Sequence, residues 1–286
     1  MLFMHIGLHK TATTFFQQSV FPKWRGIEYL PWPNLEYFVR LEEGKTYLVS
    51  REGMSGTMWA SRAERDMCIK RLSEMFPDAR ILISFRKHDG FISSAYRQYL
   101  HRGGVGSFQE FFDLEGDAGF MKQEDFVFRH KIESVVRHFK REPFVFMLEE
   151  IRNDLAGLLS DMRQFIGGAA PDPREIIMAR HNKGVGSEAG KLLRRLNRWT
   201  RSELNPDGRF RLNQGLFAKL KITPRHLCQY YLSALPDRGF LTAIDRQRID
   251  ALYADDWKYV LDHIARRRIG AGEHHKPGVP SAAAWG

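Results

Sequence analysis

The first 167 residues alternate between short runs rich in β-branched and aromatic residues and longer stretches of helical periodicity, and this alternation leaves few folds open. Leu2–Gly7, Thr46–Ser50, Arg80–Phe85 and Phe144–Leu148 read as strands. Between them, helices are predicted near Thr11–Phe21, Met58–Met75, His88–Arg102, Asp125–Lys140 and Arg152–Ile166. Strands separated by segments long enough to cross a sheet predict an α/β fold, three-layer α/β/α with a central parallel sheet. After Gly167 a Gly-Gly-Ala-Ala-Pro-Asp-Pro loop changes the texture. Helices then fit the spacing around Leu192, Leu193 and Leu196, then Pro224–Leu235 and Thr242–Arg268. The expected organisation is one domain over 1–268, with an α/β core at 1–167 that binds the ligand and a mostly helical, basic extension at 168–268. The remainder, 269–286, is rich in Gly, Pro, Ala and His and is expected to be disordered.

With 43% hydrophobic and 13% aromatic residues in 286, the chain can bury a sizeable core. No apolar run approaches the roughly 18 residues a membrane span needs. The start, Met-Leu-Phe-Met-His-Ile-Gly, turns polar too soon for a secretory signal. Cys68 and Cys228 are far apart and suit buried thiols in a reducing compartment, so a cytoplasmic location is expected. The net charge of +10 is concentrated: ten Lys or Arg face two acids, Glu203 and Asp207, between Lys191 and Arg225. Such a patch attracts nucleic acid, an anionic membrane, a polyanionic substrate or a phosphorylated cofactor, or is simply a solvated face.

Two strand-to-helix junctions carry chemistry. The first reads Gly7-Leu-His-Lys10-Thr11-Ala12-Thr13-Thr14. A strand that turns tightly into a helix exposes unpaired N–H groups at the positive end of the helix dipole, which suits an anion. Lys10 adds a charge, the threonines add hydroxyls, and small Ala12 permits close approach. The pattern lacks the Gly-x4-Gly-Lys spacing of nucleotide triphosphatases, and no acid for Mg²⁺ is evident. The second junction runs Phe85-Arg86-Lys87-His88-Asp89-Gly90, with Ser94 two helical turns on. An arginine at the carboxyl end of a strand stands where open α/β sheets bind ligands, and its planar fork suits phosphate.

On these two motifs the chain resembles the PAPS-dependent sulfotransferases, which take a sulfuryl group from 3′-phosphoadenosine 5′-phosphosulfate. Their first motif, usually Pro-Lys-Ser/Thr-Gly-Thr-Thr, here reads His9-Lys10-Thr11-Ala12-Thr13-Thr14, departing at His9 and Ala12. Their second, an Arg with a Ser eight positions later, matches Arg86 and Ser94. The resemblance covers roughly 1–185 and implies a P-loop-like nucleotide-binding fold. It assigns His9 and Lys10–Thr14 to the donor, the latter on its 5′-phosphosulfate, and Arg86 with Ser94 to the 3′-phosphate. It further implies that Asn182, Lys183 and Gly184 form a late loop over the nucleotide. PAPS is then the donor and PAP the product, with no metal required.

An acceptor needs a general base. Glu52, in Ser50-Arg51-Glu52 after the second strand, is similar to the base of carbohydrate-type and bacterial relatives. His9 and His88 are the alternatives, and Lys10 is the expected stabiliser of the leaving group. Trp32 and Tyr37 are candidates for an acceptor pocket, whereas His274 and His275 lack companions for a metal. Sulfuryl transfer to a hydroxyl or amine of a glycan, glycolipid or small alcohol is the leading expectation, with peripheral contact to an anionic membrane as an accessory one. A nucleotide-dependent kinase is the competing enzyme. A nucleic-acid-binding protein using residues 191–225 is the competing class, although no nucleic-acid motif accompanies that patch.

Overall fold

In the computed structural model, which describes residues 1–31, 41–176, 184–213, 215–232 and 234–273, the buried strand at the N-terminus is the middle of the sheet. β1 (Leu2–His5) pairs in parallel with β3 (Tyr47–Ser50) on one side and β4 (Arg80–Phe85) on the other. β2 (Glu28–Leu30) extends the sheet beyond β3, and β5 (Phe144–Met147) extends it beyond β4. The order is β2-β3-β1-β4-β5, every neighbour parallel. Four of these strands fall within a residue or two of their sequence-predicted bounds. β2 was not anticipated, because three half-exposed edge residues carry no readable alternation.

The strand period of two divides the core into two layers. Met4, Ile6, Ile81 and Ile83 face one side, where they join Ile69 of α2 (Arg62–Met75), Ile92 of α3 (His88–His101) and Ile132 of α4 (Arg129–Phe139). Phe3, Leu48, Leu82 and Phe146 face the other side, where they meet Phe16, Val20 and Phe21 and also Leu158 and Met162 of α5 (Leu155–Ile166). Phe16 and Val20 belong to α1, which opens as an α-turn at Thr13–Phe15 and continues as a π-type turn over Phe16–Val20. The result is three layers, α/β/α. The helix starts are chemically marked: Ser61 accepts from the Glu64 N–H while the Glu64 carboxylate accepts from the Ser61 N–H at 2.7 Å, a reciprocal cap on α2.

The later helices are bound into this core. In α6 (Ser187–Asn197), the Asn197 amide donates to the carbonyls of Leu100 and Gly104, fixing α6 to the end of α3. The predicted Thr242–Arg268 helix is two, α7 (Ala243–Leu252) and α8 (Ala254–Glu273), broken at Tyr253. Arg267 of α8 bridges Glu150 at 2.8 Å and Asp161 at 2.9 Å. α8 runs through Glu273, so the first part of the segment expected to be disordered is helical. Residues 274–286 lie outside the described residues, as do Trp32, Tyr37, Asn182, Lys183, His274 and His275. Among the described residues no helix is long and apolar enough to cross a membrane.

Candidate active site

All five strands run in parallel, so their carboxyl ends share one edge of the sheet. The chain leaves β1 toward β3 and later crosses back to β4. Such a reversal opens a crevice between neighbouring strand ends. A cleft of about 760 Å³ lies there.

Its floor is the Gly7–Thr14 loop. Gly7 is required by packing: a Cβ there would lie 2.9 Å from Thr13 Oγ1 and 3.0 Å from both His5 Nε2 and Ser84 Oγ. Lys10 and Ala12 have φ of 69° and 67°, an alternation that turns successive N–H groups toward one concavity. Among the described residues no backbone carbonyl accepts from the N–H groups of residues 9–12. Lys10, Ala12, Thr13 and Thr14 line the cleft. Thr11 does not. Its buried hydroxyl donates to the Leu8 carbonyl at 2.6 Å and pairs with Ser84 Oγ at 2.6 Å, so this side chain holds the loop in shape.

Ala12 occupies the position that is usually glycine in the resembling motif, and its left-handed backbone costs an alanine about 1 kcal/mol. Ala12→Gly is expected to raise the melting temperature by about 1–2 °C, after allowance for the looser unfolded chain. A fall of similar size in a thermal scan would show that the turn is not under this strain.

Beneath the loop runs a buried polar chain that the sequence reading missed. His5 Nδ1 meets Ser50 Oγ at 2.8 Å and His5 Nε2 meets Ser84 Oγ at 3.3 Å, linking β3, β1, β4 and, through Ser84, Thr11. Burial pushes the His5 pKa down to about 3, so the ring is neutral and one nitrogen donates while the other accepts. Its ring packs among Phe16, Phe21 and Phe146. The period-two pattern of β1, a polar residue on an apolar strand, was the available signal.

Glu52 opens a 3₁₀ turn, Glu52–Ser55, directly after β3. The Ser55 hydroxyl lies 3.1 Å from the Ile6 carbonyl and 3.2 Å from that of Gly7, fastening this turn to the end of β1. Glu52 therefore enters the cleft beside Lys10. Burial raises its pKa, opposed by the Lys10 charge and a hydrogen bond from Thr13. Burial lowers the Lys10 pKa; Glu52 opposes this, while Arg225 and Arg102 add to it. His9 Nε2 stands 3.9 Å from Glu52 Oε1, too far for a hydrogen bond. Burial, with Arg65, Lys10 and Arg102 nearby, pushes the His9 pKa down to about 4, so this imidazole is neutral.

The opposite wall comes from β4 and α3. Arg86 follows β4 and lies across Gly90, where a Cβ would sit 2.6 Å from its Nε. Burial lowers the Arg86 pKa, with Glu149 opposing. Among the described residues no carboxylate is in ion-pair contact with it. Ser94 lines the same cleft, followed on its helical face by Arg97, Gln98 and His101. Those three sit three, four and seven residues after Ser94, a spacing that would have identified them. Burial, then Arg225, Lys10 and Arg97, pushes His101 down to about 3. Arg152, Gly184 and Arg225 complete the wall. Gly184 is the described member of the predicted late loop, and Arg225 comes from the basic extension.

His88, the other alternative base, is elsewhere. It is buried between the rings of Phe128 and Tyr253, at 4.3 and 4.4 Å between centroids, and its Nε2 meets Asp256 Oδ2 at 2.9 Å. The same carboxylate accepts from the Phe128 N–H at 2.8 Å. His88 fixes α8 to the core and reaches no part of the cleft.

No protein-family model and no curated protein matches the chain. Among solved structures, a sulfotransferase from Alicyclobacillus acidocaldarius aligns with a TM-score of 0.45 and 17% identity, over 62% of this chain and 86% of that one. At that level the likeness carries no argument.

Proposed function

We propose that the protein is a sulfotransferase that moves a sulfuryl group from PAPS to a hydroxyl or amine of an acceptor. The observation that carries this reading is Arg86: a guanidinium drawn into the cleft without an acidic partner in contact among the described residues, opening on the same space as Ser94 and the Lys10–Thr14 loop. A half-buried cation with no carboxylate in contact among the described residues favours an anionic ligand. Two anion sites on one cleft suit a nucleotide phosphorylated at both its 3′ and 5′ positions. In this reading Arg86 and Ser94 hold the 3′-phosphate. The turned N–H groups of the loop, with Thr13 and Thr14, hold the 5′-phosphosulfate.

The acceptor oxygen attacks sulfur in line, and the bond from sulfur to the 5′-phosphate oxygen breaks. Glu52 takes the acceptor proton, and Lys10 balances the charge that grows on the leaving phosphate oxygen, giving PAP. A carboxylate with a raised pKa is a stronger base than an ordinary one, while remaining next to a cation that keeps it ionised.

The test is thermal stability in EDTA-treated buffer. PAP at about 100 times its dissociation constant adds roughly 2.7 kcal/mol and is expected to raise the melting temperature by about 5 °C. Arg86→Ala is expected to weaken PAP binding by about 100-fold, the loss of a charged bidentate contact worth ~3 kcal/mol. A shift that instead requires ATP and Mg²⁺ would establish a kinase and overturn the reading.

A further inference from the structure

Large apolar side chains are unevenly exposed on this molecule. Of the eighteen exposed among the described residues, ten lie between Trp199 and Leu235. Leu216 is 67% exposed and Tyr231 73%. They are interleaved with the ten Lys and Arg of 191–225. Parts of the segment are locally ordered: the Phe210 N–H donates to the Trp199 carbonyl at 2.8 Å, and the Ile222 N–H to that of Phe217 at 3.0 Å. His226 stacks on Tyr230, and this short helical stretch packs on α6.

We propose that this surface docks on an anionic lipid bilayer and so presents a lipid-borne hydroxyl to the cleft. Its second half rests on the sulfuryl-transfer reading. Three occupants could cover exposed apolar groups on a basic surface, and the side chains separate them. A second copy of the chain would bring the same patch against itself across a twofold axis, setting like charges of about +8 face to face. A nucleic acid would neutralise the cations but leave Leu216, Leu220, Ile222 and Leu227 exposed to a polar, wet interface. An anionic bilayer uses both kinds of residue, since lysine and arginine meet the headgroups while aromatic and aliphatic side chains enter the acyl boundary. Continuity with the site supports the lipid: Arg225, Cys228, Gln229 and Leu235 of this same segment line the cleft. A headgroup bound there would share the cleft with Lys10 and Glu52, which line it together with Arg225.

Co-sedimentation of the full chain with vesicles tests this. Phosphatidylcholine alone is compared with phosphatidylcholine containing about one-third phosphatidylglycerol, at low and high salt. Binding is expected to the anionic vesicles only. Lys219→Gln with Lys221→Gln is expected to lower partitioning by about 30-fold, ~1 kcal/mol per charge. Leu216→Ser, Phe217→Ser and Leu220→Ser combined should lower it at least tenfold, through lost apolar insertion. None of these five residues lines the cleft, so both variants should keep the melting shift with PAP, which also proves them folded. Absence of binding to either vesicle overturns the proposal. So does RNA binding that is salt-sensitive and indifferent to the serine substitutions, or dimerisation that they abolish. Vesicle binding without any PAP shift in the unmodified chain would leave docking standing and remove the sulfuryl-transfer reading beneath it.

Discussion

Lys10→Ala is expected to cut turnover with PAPS by about 10³-fold while weakening PAP binding by no more than about tenfold. The asymmetry comes from where the ammonium stands. Lys10 lies in a turn with φ of 69°, so its backbone is committed before any ligand arrives. Alanine suffers the same backbone cost, and the substitution therefore tests the ammonium alone. Burial already lowers the Lys10 pKa, and a charge in so dehydrated a place acts through a lower effective dielectric than one in water. Its attraction is greatest for the phosphate oxygen as the bond to sulfur breaks, since that is when the oxygen gains charge. An interaction made mainly in the transition state appears in the rate, not in ground-state affinity. Single-turnover kinetics beside PAP titration separates the two. Equal losses in both would reduce Lys10 to a binding residue.

The parts of this site that the sequence made legible are those with local grammar. A glycine after an apolar strand, followed by threonines opening a helix, is visible without neighbours, because turn and cap chemistry act over a few residues. The Arg86–Ser94 spacing is likewise a one-helix fact. The rest depends on which strands become adjacent. His5, Ser50 and Ser84 lie 45 and 79 residues apart in pairs and meet only because β3, β1 and β4 are neighbours. Arg225 reaches the cleft from a segment that, read alone, was a basic patch with several possible partners. His88 shows the converse. It lies two residues from Arg86, and sequence proximity made it a candidate base. At the start of α3 its ring turns instead into the stack of Phe128 and Tyr253 and meets Asp256 of α8. The Thr11 hydroxyl is likewise engaged inside the protein, on Leu8 and Ser84, through contacts that local spacing does not reveal.

Glu52→Gln is the sharper test of the chemistry. Gln is nearly isosteric, can still accept from Thr13, and leaves the 3₁₀ turn held by Ser55 untouched. PAP affinity should hold steady while turnover falls by about 10² to 10⁴, the range for losing a general base. The pH profile gives a second reading with a definite sign. A base acts when deprotonated, so turnover rises with pH through the Glu52 pKa, and burial places that limb above the ordinary carboxylate range. Lys10 acts when protonated, and its lowered pKa brings the falling limb below the ordinary lysine range. Together they give a bell, and Glu52→Gln removes its acidic side only. His9 predicts otherwise. Its ring is held neutral down to about pH 4 and stands 3.9 Å from the Glu52 carboxylate. Were His9 the base, Glu52→Gln would retain most of the turnover and its acid limb, whereas His9→Gln would abolish both. The two variants, compared over one pH series, thus assign the proton to one side chain.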